Sequence, residues 1–224
     1  MPKVNGGRRA YHSPTRAEAA ERTRRAIVAS ATVLLTERGY AAASLREIAE
    51  LAGVARPTVA AAFGSKPALL RQVLDEALAG DDEPVPVAQR PWFAPVWEAT
   101  DPAGVLDAYA GVCTLIAGRA ARLFEVVRRA AGDSADCAEL WTTLTANRRA
   151  GAAMVVRRVV ETGPLRTGLD FDRAVDALWL FNDPAHYDAL VLRRGWPEVD
   201  YRGWLATQMR VALLGPGVDA PGGG

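Results

Sequence analysis

The sequence predicts an all-α protein with a helix-turn-helix head carried on a larger helical body. Three observations lead there. Apolar residues recur at helical spacing along almost the whole chain. Alternating apolar/polar runs joined by Asn-Gly or Asp-Gly turns do not appear. Two short segments in the first 75 residues, split by Gly53, carry the caps and inner faces of paired short helices.

The elements follow in order. A first helix is predicted from Thr15 to Arg38, with Ile27, Ala31, Leu34 and Leu35 on one face and Gly39 supplying a left-handed C′ residue. A second opens at Ser44, where Ser44 and Glu47 form an S-x-x-E capping box. Leu45, Ile48, Ala49 and Ala52 form its inner face, Gly53 breaks it, and Val54 plugs the turn. A third short helix turns Val59, Ala62 and Phe63 inward and stops at Gly64. A fourth starts at Ser65-Lys66-Pro67, where proline is tolerated in the first turn, and runs to about Leu78.

The acidic, proline-rich DDEPVPVAQRPW then marks a boundary or an ordered loop, and Asp81-Asp82-Glu83 within it reads as solvated. Asp101-Pro102 opens a helix carrying Val105, Leu106, Tyr109, Val112, Cys113 and Ile116, and a separate helix through Leu123, Phe124 and Val127 is expected next. Ser134 begins a long helix ending at Gly163. Asp170 and Asp183-Pro184 open two shorter ones, and Pro197 opens the last, with Tyr201, Trp204, Leu205 and Leu213 on it. The expected division is a disordered basic arm (1–15), the head (16–79), the body (80–214) and a disordered tail (215–224).

Charge is divided in the same way. Residues 1–70 hold 11 Lys/Arg against 5 Asp/Glu, and residues 71–224 hold 16 against 21. A basic head on an acidic body fits a molecule that faces phosphate with one end only. No stretch suits a bilayer span, and MPKVNGGRRAYHSPT lacks the apolar middle of a signal peptide, so the expected location is the cytoplasm. Cys113 and Cys137 suggest neither a disulfide framework nor a zinc site. His12 and His186 have no ligand cluster beside them, so neither metal nor cofactor is expected. No nucleophile–base set appears, and an enzyme is not expected.

In a tri-helical arrangement of this kind the third helix lies in a major groove of double-stranded DNA. Its outer face would be Pro57, Thr58, Ala60 and Ala61, with Arg56 at the first turn. Arg56 is the one side chain there able to make a bidentate pair with guanine. Lys66, among the free N–H groups of a helix N-terminus, would help to hold a phosphate.

Gly39-Tyr40, SLREIAELAGVARPTV and FGSKPALL together resemble the N-terminal domain of TetR-family transcriptional regulators, over about 50 contiguous residues from Arg22 to Leu70. The body resembles that family more loosely, including DALWLFNDPAHYDALVLRRGW. The resemblance implies a homodimeric regulator whose C-terminal domain binds a small effector, and it puts Ser44, Arg46, Arg56, Thr58 and Lys66 on DNA-contacting positions. Two features depart from it. Ala60-Ala61-Ala62 stands where the family usually has an aromatic residue and a histidine, and Ala55 stands where a serine or threonine usually caps the recognition helix.

In the body, aromatic residues serve as core or as the lining of a cavity between helices. Phe124, Trp141, Leu144, Asn147 and Arg148, on two neighbouring helices, are the candidate effector residues, for a ligand largely apolar or aromatic. Asn147 and Arg148 read either as its polar anchors or as surface residues. The dimer interface is expected on the helices around Asp172–Phe181 and Glu198–Leu213. The function expected is a ligand-responsive repressor on a palindromic operator. The alternative is a small-molecule-binding or interaction protein whose head no longer binds an operator.

Overall fold

A computed structural model describes residues 14–216. Most of the expected arm and tail therefore lies outside the described residues, including Arg8, Arg9 and His12. Ten α-helices and no strand occur among those described: α1 Pro14–Ala42, α2 Leu45–Leu51, α3 Arg56–Phe63, α4 Lys66–Ala79, α5 Ala94–Glu98, α6 Pro102–Ala130, α7 Ala135–Thr162, α8 Phe171–Phe181, α9 Pro184–Tyr187 and α10 Glu198–Leu214. No helix among them is long and apolar enough to cross a membrane.

Local chemistry sets most of the helix starts. Ser44, Ser65, Asp101, Ser134, Asp170 and Asp183 each cap a helix, the side chain accepting from a backbone N–H two or three residues on. At Ser44 the capping box closes in both directions. Gly39 interrupts α1 at φ 80°, so the regular helix ends at Arg38 and the last three residues form a separate turn.

Three expectations about the helices need correction. The two helices expected between Asp101 and Val127 are one helix, α6, of 29 residues. Gly118 in its middle is no break. A Cβ there would stand at ordinary van der Waals distance, 3.4 Å, from both the Tyr187 hydroxyl and a Glu198 carboxylate oxygen, so the glycine sits within the packed helix. The proline-rich segment ends in a helix that was not expected, α5, after two 3-10 turns at Val87–Gln89 and Pro91–Phe93. Ala62 is exposed and does not face inward, because α3 meets the core along the row of Val59 and Phe63 and leaves Ala62 beside it.

Asp81-Asp82-Glu83 is not simply solvated. Arg90, only 4 % exposed, donates to both carboxylate oxygens of Asp81 at 2.7 and 2.6 Å and to the carbonyls of Val85 and Glu83 at 3.0 and 2.8 Å. Asp82 accepts from Arg25 on α1 at 3.1 Å. A buried guanidinium with its donors satisfied in this way pins the loop, in keeping with the ordered-loop alternative of the sequence reading.

Two cores hold the molecule. One gathers Val105, Leu106, Tyr109, Val155, Val159, Leu178, Tyr201, Leu205 and Met209 from α6, α7, α8 and α10. The other joins Ile27, Leu34, Leu35, Ile48, Val59, Leu69, Leu70 and Leu74 of the head to Leu123, Phe124, Val127, Leu140 and Leu144 of α6 and α7. The second core therefore crosses the chain boundary at residue 80. At about 1.5 Å per residue α6 is roughly 43 Å long, enough to take part in both.

Candidate nucleic-acid interface and ligand cavity

The head presents α3 outward from a rigid base. Val59 is buried, and the guanidinium of Arg24 lies over the Phe63 ring at 4.6 Å, clamping α3 to α1. Val54 packs on the same core below the turn, where Gly53 has φ 68°. Arg56, Pro57, Ala60 and Ala61 are exposed, and Thr58 is half-buried. Arg56 has no ion pair among the described residues. The exposed groups are one guanidinium, a proline ring and alanine methyls. They can make a single bidentate base contact and apolar contacts with thymine methyls.

The other sequence-derived positions are engaged within the protein. The Ser44 hydroxyl donates to Glu47 Oε2 at 2.7 Å and accepts from the Glu47 N–H at 3.2 Å. These bonds from Ser44, with Arg38 at 3.0 Å adding to them, hold the Glu47 carboxyl below its usual range. Arg46 is exposed and pairs with Glu50 one turn on, at 3.3 Å. The Lys66 ammonium donates to the Tyr40 carbonyl and lies 4.2 Å from the centroid of the Tyr40 ring. Partial burial there lowers the Lys66 pKa. Tyr40 is in turn held near Ser134 and Cys137 at the start of α7, and burial pushes its phenol up to about 12. Ala55 has the extended backbone of an N-cap, φ −73° and ψ 143°, but supplies no side-chain bond.

A cavity of about 800 Å³ lies where α4 and the pinned loop face α6 and α7. Phe124, Leu144, Asn147 and Arg148 are on its wall. Trp141 is not. It stands behind Phe124, edge to face with centroids 6.4 Å apart, because the stretch of α7 that carries it packs into the head's core.

Arg148 is 11 % exposed at its side chain, lies in the cavity lining and is engaged within the protein. Its Nε donates to Asn182 Oδ1 at 3.1 Å, its Nη2 to the Trp179 carbonyl at 3.0 Å, and its Nη1 pairs with Asp183 at 3.1 Å. The Asn182 amide donates on to the Tyr109 hydroxyl at 3.0 Å. Asn147 is exposed, at the cavity's outer side. Burial pushes the Cys113 thiol up to about 12 and the Tyr109 phenol well above its ordinary value, so both stay neutral.

Sequence reasoning missed Tyr109, Asn182, Phe93 and the α4 carboxylates Asp75 and Glu76 as parts of this wall, and Arg90 as the residue that holds its loop. An aromatic or an asparagine on a helix looks the same whether it meets a neighbour or a void. Arg90 offered a faint signal, as a lone cation seven residues after an acidic run.

Residues 27–73 match the family model for bacterial regulatory proteins of the tetR family. No curated protein matches the chain. Solved structures superpose on most of it. SmeT in its triclosan complex has 19% identity, covers 90% of this chain and 96% of its own, and has a TM-score of 0.67. NalD from Pseudomonas aeruginosa, the secondary repressor of the MexAB-OprM multidrug efflux pump, has 18% identity, coverage of 87% and 98%, and a TM-score of 0.65. A protein from Saccharomonospora viridis, assigned as a transcriptional regulator and solved with choline, has 20% identity, coverage of 88% and 98%, and a TM-score of 0.65. The head of this chain is thus similar to bacterial regulatory proteins of the tetR family over residues 27–73, and the chain as a whole shares the fold of these solved structures.

Proposed function

We propose that the protein is a ligand-responsive repressor that binds a palindromic DNA operator as a homodimer in the cytoplasm and leaves it when a small effector occupies the body. The observation that carries this reading is the position of the cavity. One wall is α4, the helix that braces the helix-turn-helix, and the opposite wall is α6 and α7. A ligand with different affinity for two positions of α4 shifts the population of head orientations, and with it the match to half-site spacing. An effector with a substantial apolar or aromatic part suits the lining. The choline and triclosan seen in the two similar structures are small molecules of the size such a cavity accommodates.

In this reading residues 16–79 bind DNA, with Arg56, Thr58, Pro57, Ala60 and Ala61 facing bases and Ser44, Arg46 and Lys66 near phosphates. Residues 80–214 bind the effector through Phe124, Leu144, Asn147 and Arg148, and Trp141 supports Phe124 from behind. The body also pairs two copies. Phe171 and Leu180 of α8 and Val199 and Val211 of α10 are exposed apolar residues on adjacent helices, as a self-complementary interface requires.

The test is a titration of the full-length protein against DNA flanking its own gene. The reading expects tight, palindrome-dependent binding that Arg56→Ala weakens by about 1–3 kcal/mol at one base position per half-site. Salt-sensitive binding without sequence preference would sink it. That outcome would favour a second reading, a small-molecule-binding or interaction protein with a non-operator head, which the bare methyl face of Ala60, Ala61 and Ala62 supports.

A further inference from the structure

The cavity has a charge distribution that its apolar lining does not require. Five carboxylates line it, all from α4 and the loop that follows: Asp75, Glu76, Asp81, Asp82 and Glu83. Asp81 and Asp82 are neutralised by Arg90 and Arg25, and Glu83 lies 4.0 Å from Arg90. Asp75 and Glu76 have no ion-pair partner among the described residues, and the Glu76 carboxylate accepts from the Gln72 amide at 2.8 Å. The two arginines on the wall are already committed, Arg24 over the Phe63 ring and Arg148 to Asn182, Trp179 and Asp183. Arg71, one turn before Asp75, offsets its charge in part without forming an ion pair, and the wall keeps an excess of negative charge on the α4 side. The lining also includes the aromatic rings of Phe93, Tyr109 and Phe124, and aromatic rings attract a cation.

We infer that the effector is an organic cation, with its charged nitrogen held at Asp75 and Glu76 and its apolar body among the aromatic rings. This rests on the reading of the cavity as the effector site and adds the charge of the ligand to it. Asp75 is exposed at the cavity wall, where partial desolvation raises its carboxyl against the lowering effect of Arg71, and a bound cation would favour the charged form. An anion would meet the same carboxylates as repulsion, and a neutral ligand would leave them unpaired. Because both residues belong to α4, the cation would act directly on the helix that supports the head.

Calorimetry on the full-length protein with three probes of one shape tests this: (2-naphthylmethyl)trimethylammonium, its neutral carbon isostere 2-neopentylnaphthalene, and the anion 2-naphthylmethanesulfonate. The expected result is binding of the cation tighter than the neutral probe by about tenfold or more, corresponding to one ion pair and one ring contact. The Asp75→Asn/Glu76→Gln double variant should erase that preference and leave the neutral probe's affinity unchanged. Equal or tighter binding of the neutral or anionic probe overturns the cation and leaves the effector cavity standing. A cation preference that persists in the double variant overturns the assignment to Asp75 and Glu76. Binding of none of the three overturns the inference, and operator binding, measured separately, then decides the fate of the wider reading.

Discussion

Arg148 on α7 donates its Nε proton to Oδ1 of Asn182, 3.1 Å away, just past the end of α8. Asn182 returns an amide bond to the Arg148 carbonyl at 3.2 Å, so side chain and backbone of one residue bracket the other. The pair ties α7 to α8 beside the cavity, and it brings Tyr109 of α6 into the same network.

Removing the arginine leaves Asn182, the Trp179 carbonyl and Asp183 each short of a donor in a largely buried place. Arg148→Met is expected to destabilise the protein by about 2 kcal/mol, since the thioether fills part of the volume and replaces none of the bonds. Urea unfolding measures it. A loss below about 0.5 kcal/mol, the level of an ordinary surface substitution, would show that the network contributes nothing to stability.

Lys66 and Arg56 should respond differently to removal. Lys66→Met breaks the bond to the Tyr40 carbonyl and the contact with its ring, so a stability loss of about 1 kcal/mol is expected. Arg56→Ala touches nothing in the protein and should leave stability within about 0.5 kcal/mol. Paired denaturation curves check this, and equal losses for the two would contradict the geometry.

Ala55 has the backbone of an N-cap without the side chain of one. Ala55→Ser should place a hydroxyl within reach of the free N–H groups at the start of α3 and stabilise the protein by about 1 kcal/mol. Thermal unfolding or hydrogen exchange in α3 reads the change. No gain would mean that the Ala55–Arg56 turn cannot orient the hydroxyl.

Glu125 gives a pH signature. Arg128 at 2.7 Å, with Arg129 at 2.6 Å, holds its carboxyl down to about 2 from an ordinary value of 4.5. A carboxylate whose folded pKa is depressed contributes stability above its ordinary value and loses it as pH falls through the folded one. The contribution should therefore fade between pH 4.5 and 2. Both arginines are more than half exposed, so screening limits it to about 1 kcal/mol. Glu125→Gln should be less stable than the parent at neutral pH by that amount, and the difference should shrink across the same window and in high salt.

The sequence by itself determined where most helices begin and what the head is. A cap is a bond between residues two or three apart, so Ser44, Ser65, Asp101, Ser134, Asp170 and Asp183 announce themselves whatever surrounds them. The same holds for the inner face of Ile48, Ala49 and Val59 and for the positive φ of Gly39 and Gly53. Tertiary structure alone decided what depends on distant partners. Gly118 lies inside a continuous α6, beside Tyr187 and Glu198, and the loop at Asp81 is tied down by the buried Arg90. Trp141 belongs to the head's core although its helix is part of the body, and the cavity is enclosed jointly by α4, the loop after it, α6 and α7. A void, unlike a cap, has no local signature: it is made by residues far apart in the chain that fail to touch.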